Sequence, residues 1–333
     1  MTDIRPSLFS IVTPTHNRSS LVIETLESVW AQNYRPIEHV IIDDGSSDDT
    51  VAVVRRWVGT LPERDGYDHT NYLVKLIEKP NGGVSTARNL GLQHLSGQYV
   101  HYLDSDDLLE PGALQVLAEA FHATAADLIF AGFRRFDQES GETIMERIPT
   151  GTEDLVANAM NGSLWGNAGR ISLRADFAQQ IGPWNEDFRV FEDREYSERA
   201  VLLARRLAIL RHCLVKVRVG GGSRQNDVLR SRMGRGFRIR SEVALAERAK
   251  HRDDVTESSW IAFRSRIYGL AMRSYAEGWR EHGDASRVLA DSIKVRLDRR
   301  GRMRYVAVLG GVLVCRLYLF VGQLLRTKTG TRR

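Results

Sequence analysis

Cysteine is nearly absent from this 333-residue chain: Cys213 and Cys315 are the only two, and they lie far apart. That excludes a disulfide framework and a cysteine-based zinc site, and it suits a reducing cytosol. No N-terminal signal is expected, and internal repeats, low-complexity tracts and heptad arrays are missing too. Long apolar runs are scarce as well. One stretch qualifies, RYVAVLGGVLVCRLYLFVGQLL at 304–325, broken by Arg316 and Gln323 and flanked by Arg and Lys. It is near spanning length, but an arginine at its middle makes a lone span costly. The expectation is a helix lying in or dipping into the cytoplasmic leaflet, drawn there by basic residues. A core or dimer helix is the alternative, because arginine can snorkel or pair in a soluble fold.

Acidic residues are scarce in one half only. Residues 1–223 hold 22 Lys and Arg against 31 Asp and Glu, whereas residues 224–333 hold 25 against 11, so a net charge of +5 conceals two regions of opposite sign. The predicted layout is an α/β domain over 1–223, a basic helical domain over 224–303, and the apolar helix with a basic tail over 304–333. The basic part reads as helices in FRIRSEVALAERAK, SSWIAFRSRIYGLAMRSYAEGW and ASRVLADSIKVRLDR, with breaks near His251 and Gly283. It carries no recognisable nucleic-acid module, and no nucleic-acid partner is expected.

The acidic half alternates strands and helices. SLFSIVTPTHNR stops as a strand at Pro14, Thr15, His16 and Asn17 before the helical pattern LVIETLESVWAQ. IEHVIIDDGSSDDT ends in Asp43 and Asp44 ahead of a helix around 51–58, and YLVKLIEK leads to NGGVSTARNLGLQHL, another helix after a glycine turn. This order predicts an open, mostly parallel sheet, which binds ligands beyond the carboxyl ends of its strands.

The most telling segment is YVHYLDSDDLLEPGAL, 99–114. It drives an apolar strand into Asp104, Ser105, Asp106 and Asp107, after which Pro111 is expected to open a helix. Clustered carboxylates are costly unless something positive joins them. Hard oxygen ligands suit Mg2+ or Mn2+, ions that commonly meet a protein through one or two carboxylates and a substrate's phosphates. Asp-Ser-Asp therefore suggests a metal bridging a nucleotide diphosphate. An acidic loop capping the next helix would look the same.

The ordered set TPTHNR, VIIDDGSSDDT, NGGVSTARNLGL, GQYVHYLDSDDLLEPGAL and WNEDFRVFEDREYSERA resembles the inverting glycosyltransferases of family 2, over about residues 7–220. The resemblance implies the GT-A nucleotide-diphospho-sugar transferase fold, a nucleotide diphosphate sugar donor, a Mn2+ or Mg2+ cofactor and a glycan or lipid-linked acceptor, as in bacterial surface polysaccharide or lipopolysaccharide assembly. It puts Pro14, Thr15 and His16 at the nucleotide pocket, Asp44 on the base or ribose, and Arg88 facing the nucleotide. Asp106 becomes a metal ligand, and Asp104 meets the ribose or the metal. Asp107 is a backup ligand or helix charge. Asp193 becomes the base, with Glu192 orienting it or touching the acceptor.

Trp165 and Trp184 are expected along an acceptor wall, although tryptophan is also an ordinary core residue. The family often carries a basic or His-containing loop near residues 218–227. Here Arg224 and Gln225 occur without a histidine, which leaves a third protein ligand open. A sugar-nucleotide pyrophosphorylase would share sheet and metal but needs a glycine-rich basic signature that TPTHNR lacks. A noncatalytic scaffold would not need Asp104, Asp106 and Asp193.

Overall fold

A computed structural model describes residues 7–150, 154–161, 168–220, 232–309 and 315–319. The chain divides into two compact units, 1–153 with 166–223, and 154–165 with 224–333.

The first unit opens with β1 (Phe9–Thr15), α1 (Val22–Trp30), β2 (Ile37–Asp44), α2 (Thr50–Thr60), β3 (Tyr72–Lys79), α3 (Val84–His94) and β4 (Tyr99–Tyr102). Strands β3, β2, β1 and β4 lie side by side and all parallel. β1 and β2 are buried along their whole length, as continuous apolar runs covered on both faces require. Beyond β4 the sheet becomes mixed. It continues through β8 (Ile171–Arg174), β6 (Leu128–Asp137), β9 (Leu207–Val219) and the short β5 (Leu108–Leu109), with β7 (Thr143–Arg147) on β6. Only β6 and β9 pair in parallel in this half.

One face packs Leu26, Val29 and Trp57 of α1 and α2, and Leu114 and Phe121 of α4 (Ala113–Thr124), against Phe9, Ile11, Ile37 and Ile41. On the other, α3 lies so close to β1 that a Cβ at Gly91 would stand 2.4 Å from a Val12 methyl. The expected helix start at Pro111 is displaced. The chain first pairs Leu108 and Leu109 with β9, and α4 begins only after Gly112, in the left-handed region.

The second unit takes α5 (Leu155–Asn161) from inside the first stretch, because Leu155, Val156, Ala159 and Met160 form a buried face against its other helices. Those are α8 (Arg232–Ala249), α9 (Glu257–Ala276), α10 (Arg280–Ser292) and α11 (Arg299–Leu309). The break expected near Gly283 is not there: Gly283 lies inside α10, where a side chain would meet the Tyr275 ring at 2.6 Å. The break falls at 277–279, with Gly278 at φ +82°.

Of the apolar run 304–325, the described residues Ala307, Val308 and Cys315 are buried against Ala271 and Met272 of α9. Arg316 donates through Nε to the Ala276 carbonyl at 2.8 Å. No helix among the described residues is long and apolar enough to cross a membrane.

Candidate functional site

The polar strand ends gather at one edge of the first unit because parallel strands in register finish together. Thr15 pairs with Asp43 and Asp44 with Lys79, so the loops that follow are neighbours. Asn17 Oδ1 accepts from the Ser47 amide at 2.8 Å, and the Asn17 amide donates to Ser46 Oγ at 2.9 Å. Asn81 Nδ2 donates to the Asp44 carbonyl at 2.9 Å and lies 3.2 Å from His16 Nδ1.

Asp44 is buried, and both its oxygens are occupied. Lys79 Nζ donates at 2.5 Å, the Gly82 amide at 2.9 Å and the Gly83 amide at 2.7 Å. Its work in this state is to shape the 79–83 turn ahead of α3. Asp43 accepts from the Ser46 amide and hydroxyl. Pro14 and Thr15 are buried at the end of β1, and of the three residues expected at the pocket only His16 is exposed.

Gly91 holds α3 against the sheet and so sets Arg88 beneath the strand ends. Arg88 is 2% exposed, donating through Nη2 to Asp104 Oδ1 at 2.7 Å and through Nη1 to Glu192 Oε1 at 3.4 Å. Burial opposes its charge, and Asp104, Glu192 and Asp193 more than restore it. Its fork thus engages two carboxylates of the protein, one of them Asp104 at the strand end expected to meet the nucleotide.

Trp184 lies beneath that guanidinium, 1% exposed, with Arg88 4.4 Å from its ring centre and Tyr196 stacked on it at 3.9 Å, the packing of the core alternative. Asn89 fixes this segment, accepting from the Trp184 amide at 2.7 Å and donating to its carbonyl at 3.0 Å. Trp165 and Arg224 lie outside the described residues.

Asp104 and Asp106 keep 33% and 34% of their side chains exposed, which makes them the accessible members of the acidic run. Burial and the charge of Asp104 push Asp106 up, against Arg18, whose Nε lies 3.3 Å away. Asp107 is buried and accepts from the Arg218 amide at 3.0 Å, while Arg218 Nε holds the Asp106 carbonyl at 2.9 Å. Asp107 thus braces β9, and it sits well before the first turn of α4 rather than in it. Burial, then the charges of Asp104 and Asp106, drive its carboxyl well up.

After α6 (Ala175–Ile181), Glu192 and Asp193 open α7 (Glu192–Leu203). Phe191 precedes them with φ +66° and ψ +13°, a left-handed backbone that is costly for a bulky side chain and typical of functional sites. Glu192 is buried on Arg88, and Asp193 is half-buried with Oδ1 accepting from the Arg194 amide at 2.7 Å. Burial, then the neighbouring Glu192 charge, pushes Asp193 up to about 7 against the pull of Arg88. A carboxyl titrating near neutrality can serve as a proton acceptor in ordinary conditions.

Lys79, Asn81, Arg18 and Arg218 were not singled out from sequence. The signal for Lys79 lay in its place, last in β3 as Asp44 is last in β2, but the register that pairs them is tertiary.

Comparison with known proteins places this arrangement. Solved structures with the same fold include Staphylococcus aureus TarS 1–349 in complex with UDP, at TM-score 0.58 and 17% identity over 91% of this chain and 79% of that one. A mannosyltransferase from Pyrobaculum calidifontis in complex with GDP-Man and Mn2+ matches at TM-score 0.56 and 17% identity, over 98% of this chain and 81% of that one. Among curated relatives, glycosyltransferase GlyA of Streptococcus pneumoniae is 24% identical over 64% of this chain and 31% of its own length. Hyaluronan synthase of Pasteurella multocida is 32% identical over 35% of this chain and 11% of its own. The chain spans 31% and 42% of the pneumococcal relatives GlyA and GlyG. Residues 10–181 match the glycosyl transferase family 2 profile, a stretch that holds the strand-end loops, Arg88 and the Asp104–Asp107 run and stops short of Glu192. On that match and on the GT-A arrangement of its sheet, the chain belongs to glycosyl transferase family 2.

Proposed function

We propose that this chain transfers a sugar, with inversion, from a nucleotide diphosphate donor to a hydroxyl of a glycan or glycolipid acceptor, in bacterial surface polysaccharide or lipopolysaccharide assembly. The observation that carries the reading is the double contact of Arg88. One guanidinium ties Asp104, at the donor-side strand end, to Glu192, beside the candidate base, so both carboxylate groups belong to one site. The acceptor hydroxyl attacks the anomeric carbon as the bond to the diphosphate breaks, and its proton passes to an Asp193 carboxylate oxygen. One displacement suffices, and no covalent sugar–enzyme bond is needed.

The strand-end loops supply the nucleotide pocket, with His16, Asp44 and the end of β1 at its edge. Asp104 and Asp106 would hold a divalent cation. Two accessible carboxylates together with the donor's phosphates are a ligand set that suits Mg2+ or Mn2+. When bound, such an ion neutralises charge on the departing diphosphate. Residues near 224 are candidates for further phosphate contacts.

A position at the inner face of the cell membrane completes the reading. Met303, Val306, Leu309 and Leu317 are exposed, next to Arg299, Arg300 and Arg302, an apolar-and-basic surface of the kind drawn to anionic lipid. The deciding experiment is a donor screen, following nucleotide diphosphate release from UDP-, GDP- and dTDP-sugars with Mn2+ or Mg2+. Release from one donor that needs an acceptor and is lost in Asp193→Asn supports transfer. Release indifferent to that substitution removes Asp193 from the chemistry.

A further inference from the structure

The second unit gathers arginine where its helices meet. Arg235 of α8 bonds Glu277 at the end of α9 at 3.1 Å, and Arg266 of α9 bonds Glu242 of α8, so the crossed pairs set the two helices antiparallel. Arg273 lies on the same stripe of α9, seven residues beyond Arg266 and four before Glu277. Among the described residues no hydrogen bond or ion pair engages its side chain, although the Glu277 charge acts on it. α11 adds Arg304, whose guanidinium covers Gly269 so closely that a Cβ there would meet Cζ at 3.1 Å. Arg304 Nη1 donates to the Ser265 carbonyl at 2.9 Å, and burial, then the Arg300 charge, works against its own charge despite Tyr318 and Asp298.

Arg235, Arg238, Arg266, Arg273 and Arg304 thus lie among three carboxylates: Glu242 pairs with Arg266 and Arg238, Glu277 pairs with Arg235, and Asp298 acts on Arg304. The electrostatics agree: burial, then the charges of Arg235 and Arg304, hold Arg273 down to about 10. Surplus positive charge in a packed layer is unfavourable until an anion joins it. Guanidinium forks converging from separate elements match an oxyanion, which can accept several donors at once.

We propose that the second unit binds a phosphate-type oxyanion between α8, α9 and α11, held by Arg273 and Arg304 with Arg235 beside them. The group would come from a free phosphate compound or from a lipid headgroup, and both present the same oxygens. This site lies wholly within the second unit and does not depend on the transfer reaction.

The test uses the full chain in excess chelator, with thermal unfolding and calorimetric titration of pyrophosphate against chloride at matched ionic strength. Pyrophosphate should raise the melting temperature beyond the chloride control, and Arg273→Met should weaken its binding roughly tenfold or more, the loss of a charged hydrogen bond. Ligand-free Arg273→Met should melt above the wild type, because a repelling charge has gone, and Arg304→Met serves as the second variant. Vesicles separate the sources. Binding to phosphatidylglycerol but not phosphatidylcholine vesicles, competed by pyrophosphate, marks a headgroup, and pyrophosphate binding without vesicle binding marks a free compound. The proposal is overturned if pyrophosphate acts no differently from chloride, if its effect is unchanged in Arg273→Met, or if both ligand-free variants melt below the wild type.

Discussion

Arg88 lies over Trp184, its guanidinium carbon 4.4 Å from the ring centre, and Trp184 in turn stacks on Tyr196 at 3.9 Å and 3°. Arginine, tryptophan and tyrosine form a pillar beneath Asp104 and Glu192. The arginine is held from below by an aromatic face and from above by two carboxylates, which fixes the spacing between Asp104 and Glu192.

Removing that guanidinium strands two partly or fully buried carboxylates. Arg88→Met should cost about 3 kcal/mol of stability, the order seen when one member of a buried ion pair is deleted. Arg88→Lys should rescue little, because a point charge cannot bridge two carboxylates as a fork does. Urea unfolding measures both, and wild-type stability in Arg88→Met would mean the pillar is not holding the site together.

Trp184→Ala should be destabilising by about 3–5 kcal/mol, as for other buried aromatic truncations. If Trp184 instead lined the acceptor, the variant would keep its unfolding midpoint and raise the acceptor KM alone. Parallel denaturation and kinetics separate the two.

For the metal, Asp106→Ala and excess chelator should each abolish transfer, and added Mn2+ or Mg2+ should restore the chelated wild type only. Full turnover in either condition would remove Asp106 from that role.

Asp193→Asn keeps the shape but cannot take a proton, so kcat should fall roughly 100-fold or more with little change in donor binding. In the wild type the base works ionised, so kcat should climb as pH rises toward about 7 and level off above it. A rate flat between pH 5 and 8 would contradict the assignment.

The same carboxyl makes a prediction about stability. Its folded value lies above the ordinary 3.8, so the folded chain holds this proton more tightly than the unfolded chain and loses stability as pH rises from about 4 to about 7. Asp193→Asn escapes that loss and should melt higher than the wild type at pH 8, with the difference vanishing below pH 4. A lower melting temperature at pH 8 would mean the carboxylate is stabilising where it sits.

A good share of this was legible in the residues themselves. β3 spans the YLVKLIEK segment, and α3 begins at Val84 within NGGVSTARNLGL, straight after its glycine turn, because apolar periodicity and glycine turns are local properties of a chain. The strand-end carboxylates were legible too, since an apolar strand that runs into Asp104 and Asp106 announces itself. Periodicity is silent about which side of a residue is covered, and tertiary structure decided those matters. Sequence left Arg88 open between a nucleotide contact and a surface charge, and Trp184 between an acceptor wall and the core; that one lies on the other is tertiary, with α3 drawn in at Gly91. Asp107 read as a ligand until the β9 backbone reached it from 111 positions along the chain. Gly283 read as a break until Tyr275 packed over it, and α5 joined the second unit because its apolar face found cover there. Local sequence sets which elements form and where charge collects. Burial depends on neighbours distant in the chain, and only the folded chain settles which of those charges stay free to meet a substrate.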